Sequence, residues 1–169
     1  MTVRASITSA ALRDIGLFGG ISDESLVRLA AELPEVRAEP GKVVVEEGGL
    51  STEMFVVIGG ELEVVKRALD GSTVRVAMLG GGDWFGEMAI LDVQPRSASV
   101  RALAPSLLLS MSADQVDRLL YRVSPKDYSL LVMNIARELS RRLRVADGIL
   151  AQFFVAMHEQ YGKGPAAPR

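Results

Sequence analysis

The sequence predicts a mixed α+β fold, in which an antiparallel β-barrel or jelly roll is flanked by N-terminal helices and a long C-terminal helix. Three observations predict it. Between residues 36 and 111, short β-branched runs alternate with glycines at regular intervals, as in small all-β architectures. Apolar residues recur at helical spacing before this region. After it they do so again, over a much longer stretch.

Composition favours one folded domain and gives little support to several classes of function. The chain has 169 residues, 49% of them hydrophobic, with no cysteine, one histidine and a net charge of −2. These figures allow a packed core, offer no thiol or histidine cluster for a metal, and disfavour non-specific binding to nucleic acid. We therefore expect no metal site, no cofactor and no catalytic residue.

The expected domain covers residues 1–158 and is followed by a flexible tail over residues 159–169, which is rich in glycine and proline. No apolar run is long enough to span a bilayer, and the N-terminus leads into no apolar segment of signal-peptide type. The sequence thus predicts a cytoplasmic protein without a membrane partner.

Two N-terminal helices are predicted over residues 6–33. The first covers residues 6–16, with Gly16 as its stop. Ser22 is a candidate N-cap for the second, because two acidic residues follow it in a first turn that favours negative charge. Pro34 marks the end of that helix.

The predicted β-roll covers residues 36–111 and contains several short strands. Gly59-Gly60, between two of these runs, predicts a tight hairpin, and Asp70-Gly71 predicts a second turn that requires positive φ. The strand-like runs are Val43–Val45, Phe55–Ile58, Leu62–Val65, Val74–Leu79 and Leu107–Leu109.

The C-terminal helices are predicted over residues 112–158. Ser112 is a candidate N-cap for a helix through Leu120. Ser124-Pro125 opens the last helix, since proline is favoured at the first helical position, and this helix is expected from Lys126 to about His158.

Apolar residues of the last helix recur at steps of four and three, a heptad-like pattern that predicts pairing with a second copy of the chain. Gly148 lies within the pattern, costs about 1 kcal/mol relative to alanine, and marks a candidate bend. The members of the pattern are Ile135, Leu139, Leu143, Ala146, Leu150, Phe153 and Met157.

One stretch carries residues suited to a small anion attached to a sugar. Gly86 lets the backbone approach a ligand, and the N–H groups that open the next helical turn favour negative charge. Arg96 adds a permanently charged fork of donors that suits phosphate. Glu87 would repel phosphate, so it either caps the turn or accepts hydrogen bonds from a ligand hydroxyl.

The segments Phe85–Leu91 and Pro95–Ala102 closely resemble the phosphate-binding cassette of cyclic nucleotide-binding domains, the family of bacterial catabolite activators, protein kinase A regulatory subunits and cyclic nucleotide-gated channels. The resemblance extends from about residue 12 to the long helix. It implies a signalling module with a β-roll that binds a cyclic nucleotide.

The resemblance assigns roles to residues of the cassette. Glu87 would hold the ribose hydroxyl and Arg96 the cyclic phosphate. Backbone N–H groups would complete the anion site, and they belong to Gly86, Met88, Ala89 and Ser97.

The identity of the purine is predicted less directly. Ser97 resembles the residue of bacterial cyclic AMP receptors, which favours cAMP as the ligand. The run Arg141–Val145 resembles a helix of the catabolite activator, and this makes Arg142, Ala146 and Asp147 candidate purine contacts. Asp147 could also accept hydrogen bonds from guanine, so a cGMP-selective sensor is the alternative.

Catabolite activators continue into a helix-turn-helix domain, for which few residues remain here. We therefore expect a stand-alone sensor that binds no DNA directly and acts through a homodimer or an unidentified downstream protein. Two other classes of function compete with this interpretation. An enzyme of the cupin type would need histidines in the barrel region, which has none. A structural dimerisation module would bind no ligand at all.

Overall fold

The structure, a computed structural model, describes residues 7–92 and 94–161. Two four-stranded antiparallel sheets form its centre. The strands are β1 (Glu35–Ala38), β2 (Val43–Val45), β3 (Glu53–Gly59), β4 (Glu61–Arg67), β5 (Thr73–Gly80), β6 (Trp84–Phe85), β7 (Ser99–Ala102) and β8 (Ser106–Ser112). The helices are α1 (Ser9–Arg13), α2 (Asp23–Glu32), α3 (Met88–Leu91), α4 (Ala113–Val116) and α5 (Pro125–Tyr161), with a 3-10 turn at Gly16–Phe18 and a π-helical segment at Asp117–Tyr121.

The strand orders are β1-β8-β3-β6 in the first sheet and β2-β7-β4-β5 in the second. The predicted antiparallel roll is therefore confirmed, although the sheets remain open and do not close into a barrel. Alternate residues of β3 point to opposite faces. Phe55 packs between the sheets, where its ring stacks on Phe85 with centroids 5.2 Å apart. Met54 and Val56 face the helices, which bury the other side of the first sheet.

The predicted hairpin at Gly59-Gly60 is wrong, because β3 and β4 belong to different sheets. The two glycines form a corner that carries the chain from one sheet to the other. Gly60 has φ +108°, and a Cβ there would lie 2.2 Å from Ser106 Oγ, so both the conformation and the space require glycine. The predicted turn at Asp70-Gly71 does join two paired strands, β4 and β5, and Gly71 has φ +82°.

The N-terminal helices differ from the prediction at their ends. The first is shorter than expected and is capped by Thr8, whose hydroxyl accepts from Ala11 N. Gly16 begins a 3-10 turn instead of ending a helix. Ser22 caps α2 as predicted, accepting from Ser25 N at 3.4 Å.

The C-terminal elements begin close to the predicted positions. Ser112 caps α4 in a capping box with Gln115, but the α-helix lasts one turn before the π-helical segment follows. The last helix runs without interruption through Gly148 to Tyr161. Residues 159–161, expected in the tail, are therefore helical, and residues 162–169 lie outside the described residues.

Residues 125–139 of α5, here called the anchored half, are held to the N-terminal helices by apolar and polar contacts. Leu131 and Ile135 are fully buried in the core beneath the helices. Asn134 Nδ2 donates to the carbonyl oxygens of Leu17 and Gly19, at 3.0 Å each. This part of α5 is therefore part of the folded core.

Asp127 adds a buried carboxylate to these contacts. It accepts from the hydroxyls of Ser22 and Ser25 at 2.5 and 2.7 Å and from Ser22 N at 3.2 Å. Burial alone would raise the pKa of Asp127, but the hydrogen bonds from the two serines outweigh it and hold the pKa below its usual value. The start of α5 is thus joined to the start of α2.

Residues 143–157, here called the exposed half, lack such a layer. The apolar side chains in this half lie largely in solvent, with Leu143 62% and Leu150 52% exposed. The others of this kind are Val145, Ile149, Phe153, Phe154 and Val155. Over residues 7–92 and 94–161, no helix has both the length and the hydrophobicity that crossing a membrane requires.

Candidate functional site

A cavity of about 730 Å³ lies between the second sheet and α5. Its walls come from β2, β4, β5 and β7 on one side, from residues 138–149 of α5 on the other, and from residues 83–98 between them. The cavity combines apolar strand residues with several charged side chains, which is the usual composition of a small-molecule site.

Arg96 is the most unusual charged residue of this cavity. Its side chain is buried, and the residue is only 8% exposed. The guanidinium donates to the carbonyl oxygens of Gly86 and Glu53, and within the described part of the chain it forms no ion pair. Its Nε is buried without a hydrogen-bond partner among those residues. Burial lowers the pKa of Arg96, while the nearby charges of Glu53 and Glu87 oppose that shift.

Gly86 is required by the position of this arginine. It has φ +79°, and a Cβ on it would lie 2.6 Å from Arg96 Nη1 and 3.1 Å from Glu53 O. Any larger residue would therefore displace the guanidinium. The glycine that the sequence pattern singled out is needed both for its conformation and for the space it leaves.

The backbone around Arg96 is held by a neighbouring loop. Gly48 N donates to Arg96 O at 2.8 Å, and Arg96 N donates to Gly49 O at 2.9 Å. Glu47 N donates to Ser99 Oγ at 2.8 Å. These bonds fix the segment before β7, so the arginine side chain enters the cavity from a defined position.

Glu87 is the second buried charge of the cavity, and it is 3% exposed. Its Oε1 accepts from Nη1 of Arg142, on α5, at 3.1 Å. Arg142 also donates from Nη2 to Trp84 O at 3.1 Å and from Nε to Glu138 Oε1 at 2.8 Å. One guanidinium therefore joins two carboxylates and connects α5 to the segment that carries Glu87.

Glu138 has a strongly lowered pKa. Hydrogen bonds from Arg141 lower the pKa of Glu138 most, burial acts in the opposite direction, and Arg142 adds to the lowering, so the pKa is about 2. Glu138 is therefore ionised at neutral pH, and its charge is shared between the two arginines.

The structure brings most of the predicted site residues to this cavity. Ala146 lines it, while Asp147 is exposed and does not, because consecutive helical residues point about 100° apart. Arg142 lines the cavity and contacts Glu87, and its role toward a purine stays a prediction. The residues of the prediction that line the cavity are Gly86, Glu87, Met88, Ala89, Arg96, Ser97, Arg142 and Ala146.

One expected anion donor is already paired. Ala89 N donates to Gly86 O at 3.1 Å, because the turn after Gly86 closes on itself, and this N–H is not free for a ligand.

Sequence reasoning missed Glu138, although its position four residues before Arg142 is the spacing of a helical ion pair and could have identified it.

The comparisons with known proteins agree with this geometry. A sequence model of the family described as "Cyclic nucleotide-binding domain" matches residues 35–122, which hold both buried charges of the cavity. The chain belongs to the cyclic nucleotide-binding domain family. The family is a regulatory one, and the predicted resemblance is confirmed.

The proteins similar to this chain include two from bacteria. The chain is 35% identical over 132 residues to a cyclic AMP receptor protein of Thermus thermophilus, a match that covers 78% of this chain and 58% of that protein. It is 29% identical over 136 residues to a CRP-like cAMP-activated global transcriptional regulator of Mycobacterium tuberculosis, covering 80% and 58%. The chain thus spans less than two thirds of the length of these relatives.

Solved structures of the family have the same fold. A cyclic nucleotide-binding domain from Methylobacillus flagellatus matches with a TM-score of 0.74 and 27% identity, over 86% of this chain and 82% of that one. The catabolite activator protein of Thermus thermophilus matches with a TM-score of 0.72 and 30% identity, over 82% and 62%.

Proposed function

We propose that the chain binds a cyclic nucleotide, cAMP in preference to cGMP, and that the exposed half of α5 responds to it. The observation that carries the proposal is the buried pair of Arg96 and Glu87 in one cavity. A buried arginine without an ion-pair partner in the described residues needs an anion. A buried glutamate beside it can accept from a neutral hydroxyl of the same ligand.

The cavity supports a division of the ligand between its two ends. The phosphate would lie against Arg96, and the ribose hydroxyl would donate to Glu87. The purine would lie toward the apolar wall formed by β5 and α5, which includes Val76, Met78 and Ile149. A charged end and an apolar end suit a cyclic nucleotide, because its phosphate is anionic and its base is flat and weakly polar.

The preference for cAMP is supported by two observations. Ser97 lines the cavity beside Arg96, and the bacterial relatives named above are described as cAMP receptors and cAMP-activated regulators. A cGMP-dependent protein kinase of Toxoplasma gondii is also similar, at 33% identity over 55% of this chain, so cGMP is the alternative ligand. We expect the ligand to be bound without being hydrolysed.

Calorimetric titration with cAMP and cGMP in parallel tests this proposal. We expect cAMP to bind more tightly, and Arg96→Ala to weaken binding by about 10- to 100-fold, the value of a charge-assisted hydrogen bond. Arg137→Ala is the matched control, since Arg137 is exposed and does not line the cavity. Absence of binding by either nucleotide, or equal binding by Arg96→Ala and the parent protein, would contradict the proposal.

The exposed half of α5 supports pairing with a second copy of the chain. Leu143, Leu150 and Phe153 recur at steps of seven and three and are all more than half exposed, so two identical helices could bury each other's stripe. The response to the ligand would then pass through the dimer or a further protein partner.

Sedimentation equilibrium tests the dimer. We expect the parent protein to be dimeric and the variant with Leu143→Gln and Leu150→Gln to be monomeric. Val155→Gln is the matched control, because Val155 is equally exposed but lies on the other side of the helix. A monomeric parent protein would contradict the dimer, and a dimer that binds no nucleotide would indicate a structural dimerisation module.

A further inference from the structure

Glu138 holds the arginine that contacts Glu87. It lines the cavity, its side chain is 17% exposed, and its Oε1 accepts from Arg142 Nε at 2.8 Å. Two more bonds come from Arg141, whose Nε and Nη2 donate at 2.9 and 2.7 Å. Glu138 is therefore itself fixed by a second arginine.

Because of this bond, each nitrogen of the Arg142 guanidinium has its own acceptor. Nε donates to Glu138, Nη2 to Trp84 O and Nη1 to Glu87. A planar guanidinium with three separate acceptors has a single orientation. Without Glu138, the side chain could rotate about its long stem, and the bond to Glu87 would no longer be enforced.

The direction in which the Glu87 carboxylate points depends on the orientation of the Arg142 guanidinium. Its Oε1 is occupied by Arg142, and among the described residues no group donates to its Oε2, which leaves that oxygen for a ligand hydroxyl. A buried carboxylate that loses its positive partner is no longer held in place and can turn toward water. Its oxygen then no longer faces the ligand hydroxyl.

We propose that Glu138 is a positioning residue for cyclic-nucleotide binding, which acts through Arg142 to keep the Glu87 carboxylate turned toward the ribose hydroxyl. This inference rests on the proposed function. Glu138 reaches Glu87 only through Arg142, so we expect its effect at the ribose end of the ligand.

A simpler role for Glu138 would be to stabilise α5 through its i, i+4 ion pair with Arg142. The chain offers a control for that role, because Glu24 and Arg28 on α2 also form an i, i+4 pair, at 3.0 Å, and neither residue lines the cavity. Glu24→Gln removes the same charge from the same kind of pair. It should alter the stability of its helix and leave nucleotide binding unchanged.

The experiment compares cAMP with 2′-deoxy-cAMP, which lacks the hydroxyl that Glu87 would bind. Both ligands are titrated into the parent protein, Glu138→Gln and Glu24→Gln, with thermal melting used to verify folding. We expect Glu138→Gln to weaken cAMP binding by about tenfold, as for residues of one hydrogen-bond network, and to change 2′-deoxy-cAMP binding by less than about twofold. Glu24→Gln should bind both ligands as the parent protein does.

A second arm uses Arg142→Ala as the background. We expect Glu138→Gln to have no further effect there, because the link from Glu138 to Glu87 runs through Arg142. Equal weakening of both ligands by Glu138→Gln, unchanged cAMP binding, or a full effect in the Arg142→Ala background would overturn the inference while leaving the proposed function intact. Absence of cAMP binding by the parent protein would overturn both.

Discussion

The anchored and exposed halves of α5 are parts of one helix, yet different interactions hold them. In the anchored half Ile135 is fully buried, and Asp127 and Asn134 bond to the N-terminal elements. In the exposed half Leu150 is 52% exposed, and most of the large apolar side chains there are also exposed. The comparison teaches that apolar periodicity alone does not reveal which part of a helix belongs to the core.

The boundary between the two halves lies within the part of α5 that lines the cavity, residues 138–149. Glu138 and Arg142 lie there, and Arg142 connects α5 to Glu87. A ligand that changes the partners of Arg142 would therefore act on the helix where its support ends. Such a ligand shifts the position of the exposed half only by as much as it binds one arrangement more tightly than the other.

The largest expected effect is a loss of folding stability on truncating an apolar residue of the anchored half, compared with the same kind of truncation in the exposed half. Ile135→Ala should lower the free energy of unfolding by about 2–5 kcal/mol, because it leaves a cavity in a packed core. Leu150→Ala should change it by less than about 0.5 kcal/mol at concentrations where the chain is monomeric. Urea denaturation measures both values, and equal losses would mean that the exposed half is also part of the core.

The second prediction concerns the carboxylate that anchors α5. Asp127→Ala should cost about 2–3 kcal/mol of unfolding free energy, because the Ser22 and Ser25 hydroxyls and Ser22 N lose a buried acceptor. Asp117→Ala is the control, since it removes an exposed ion pair with Arg122 that is worth less than about 1 kcal/mol. Equal effects of the two variants in urea denaturation would contradict the anchoring role.

The lowered pKa of Asp127 leads to a prediction of how folding stability depends on pH. Its pKa is lowered in the folded chain, so its stabilisation is present above the unfolded value of 3.8 and is lost as the pH falls through the folded value. Thermal melting from pH 5 downward should therefore show a steeper loss for the parent protein than for Asp127→Ala. Parallel curves would indicate that the carboxylate is not bound more favourably in the folded state.

The fold was largely predictable from the sequence, because short β-branched runs and helical periodicity are local signals. The corner at Gly60 was mistaken for a hairpin, since strand pairing depends on distant residues and the local pattern is the same. Asp127 gave no signal either, because its serine partners lie about a hundred positions away.

Part of the site was also predictable from the sequence. The resemblance to the family assigned Glu87 and Arg96 to one site, and the structure places both in one cavity. Their roles toward a ligand stay predictions. The predicted heptad-like pattern grouped Ile135 and Leu139 with Leu150, although the first two pack against the core of their own chain. Periodicity identifies an apolar face but not the surface that covers it.

The smallest expected effect comes from the glycine inside the exposed half. A Cβ at Gly148 would meet nothing within 4 Å, and alanine is favoured over glycine in a helix by about 1 kcal/mol. Gly148→Ala should therefore stabilise the exposed half, seen as a small rise in helical signal by circular dichroism. If Gly148 is a ligand-driven bend, the substitution should also weaken the response to cAMP, and an unchanged response would exclude that role.

Spin-label distances test the difference between the two halves most directly. The chain has no cysteine, so labels can be placed through Glu39→Cys with either Ala136→Cys or Gln152→Cys, all at exposed positions. Labelled protein is diluted with unlabelled protein to suppress distances between copies. With saturating cAMP, we predict a changed distance distribution for Glu39 to Gln152 and an unchanged one for Glu39 to Ala136. A change of both distances together, or of neither, would contradict the account.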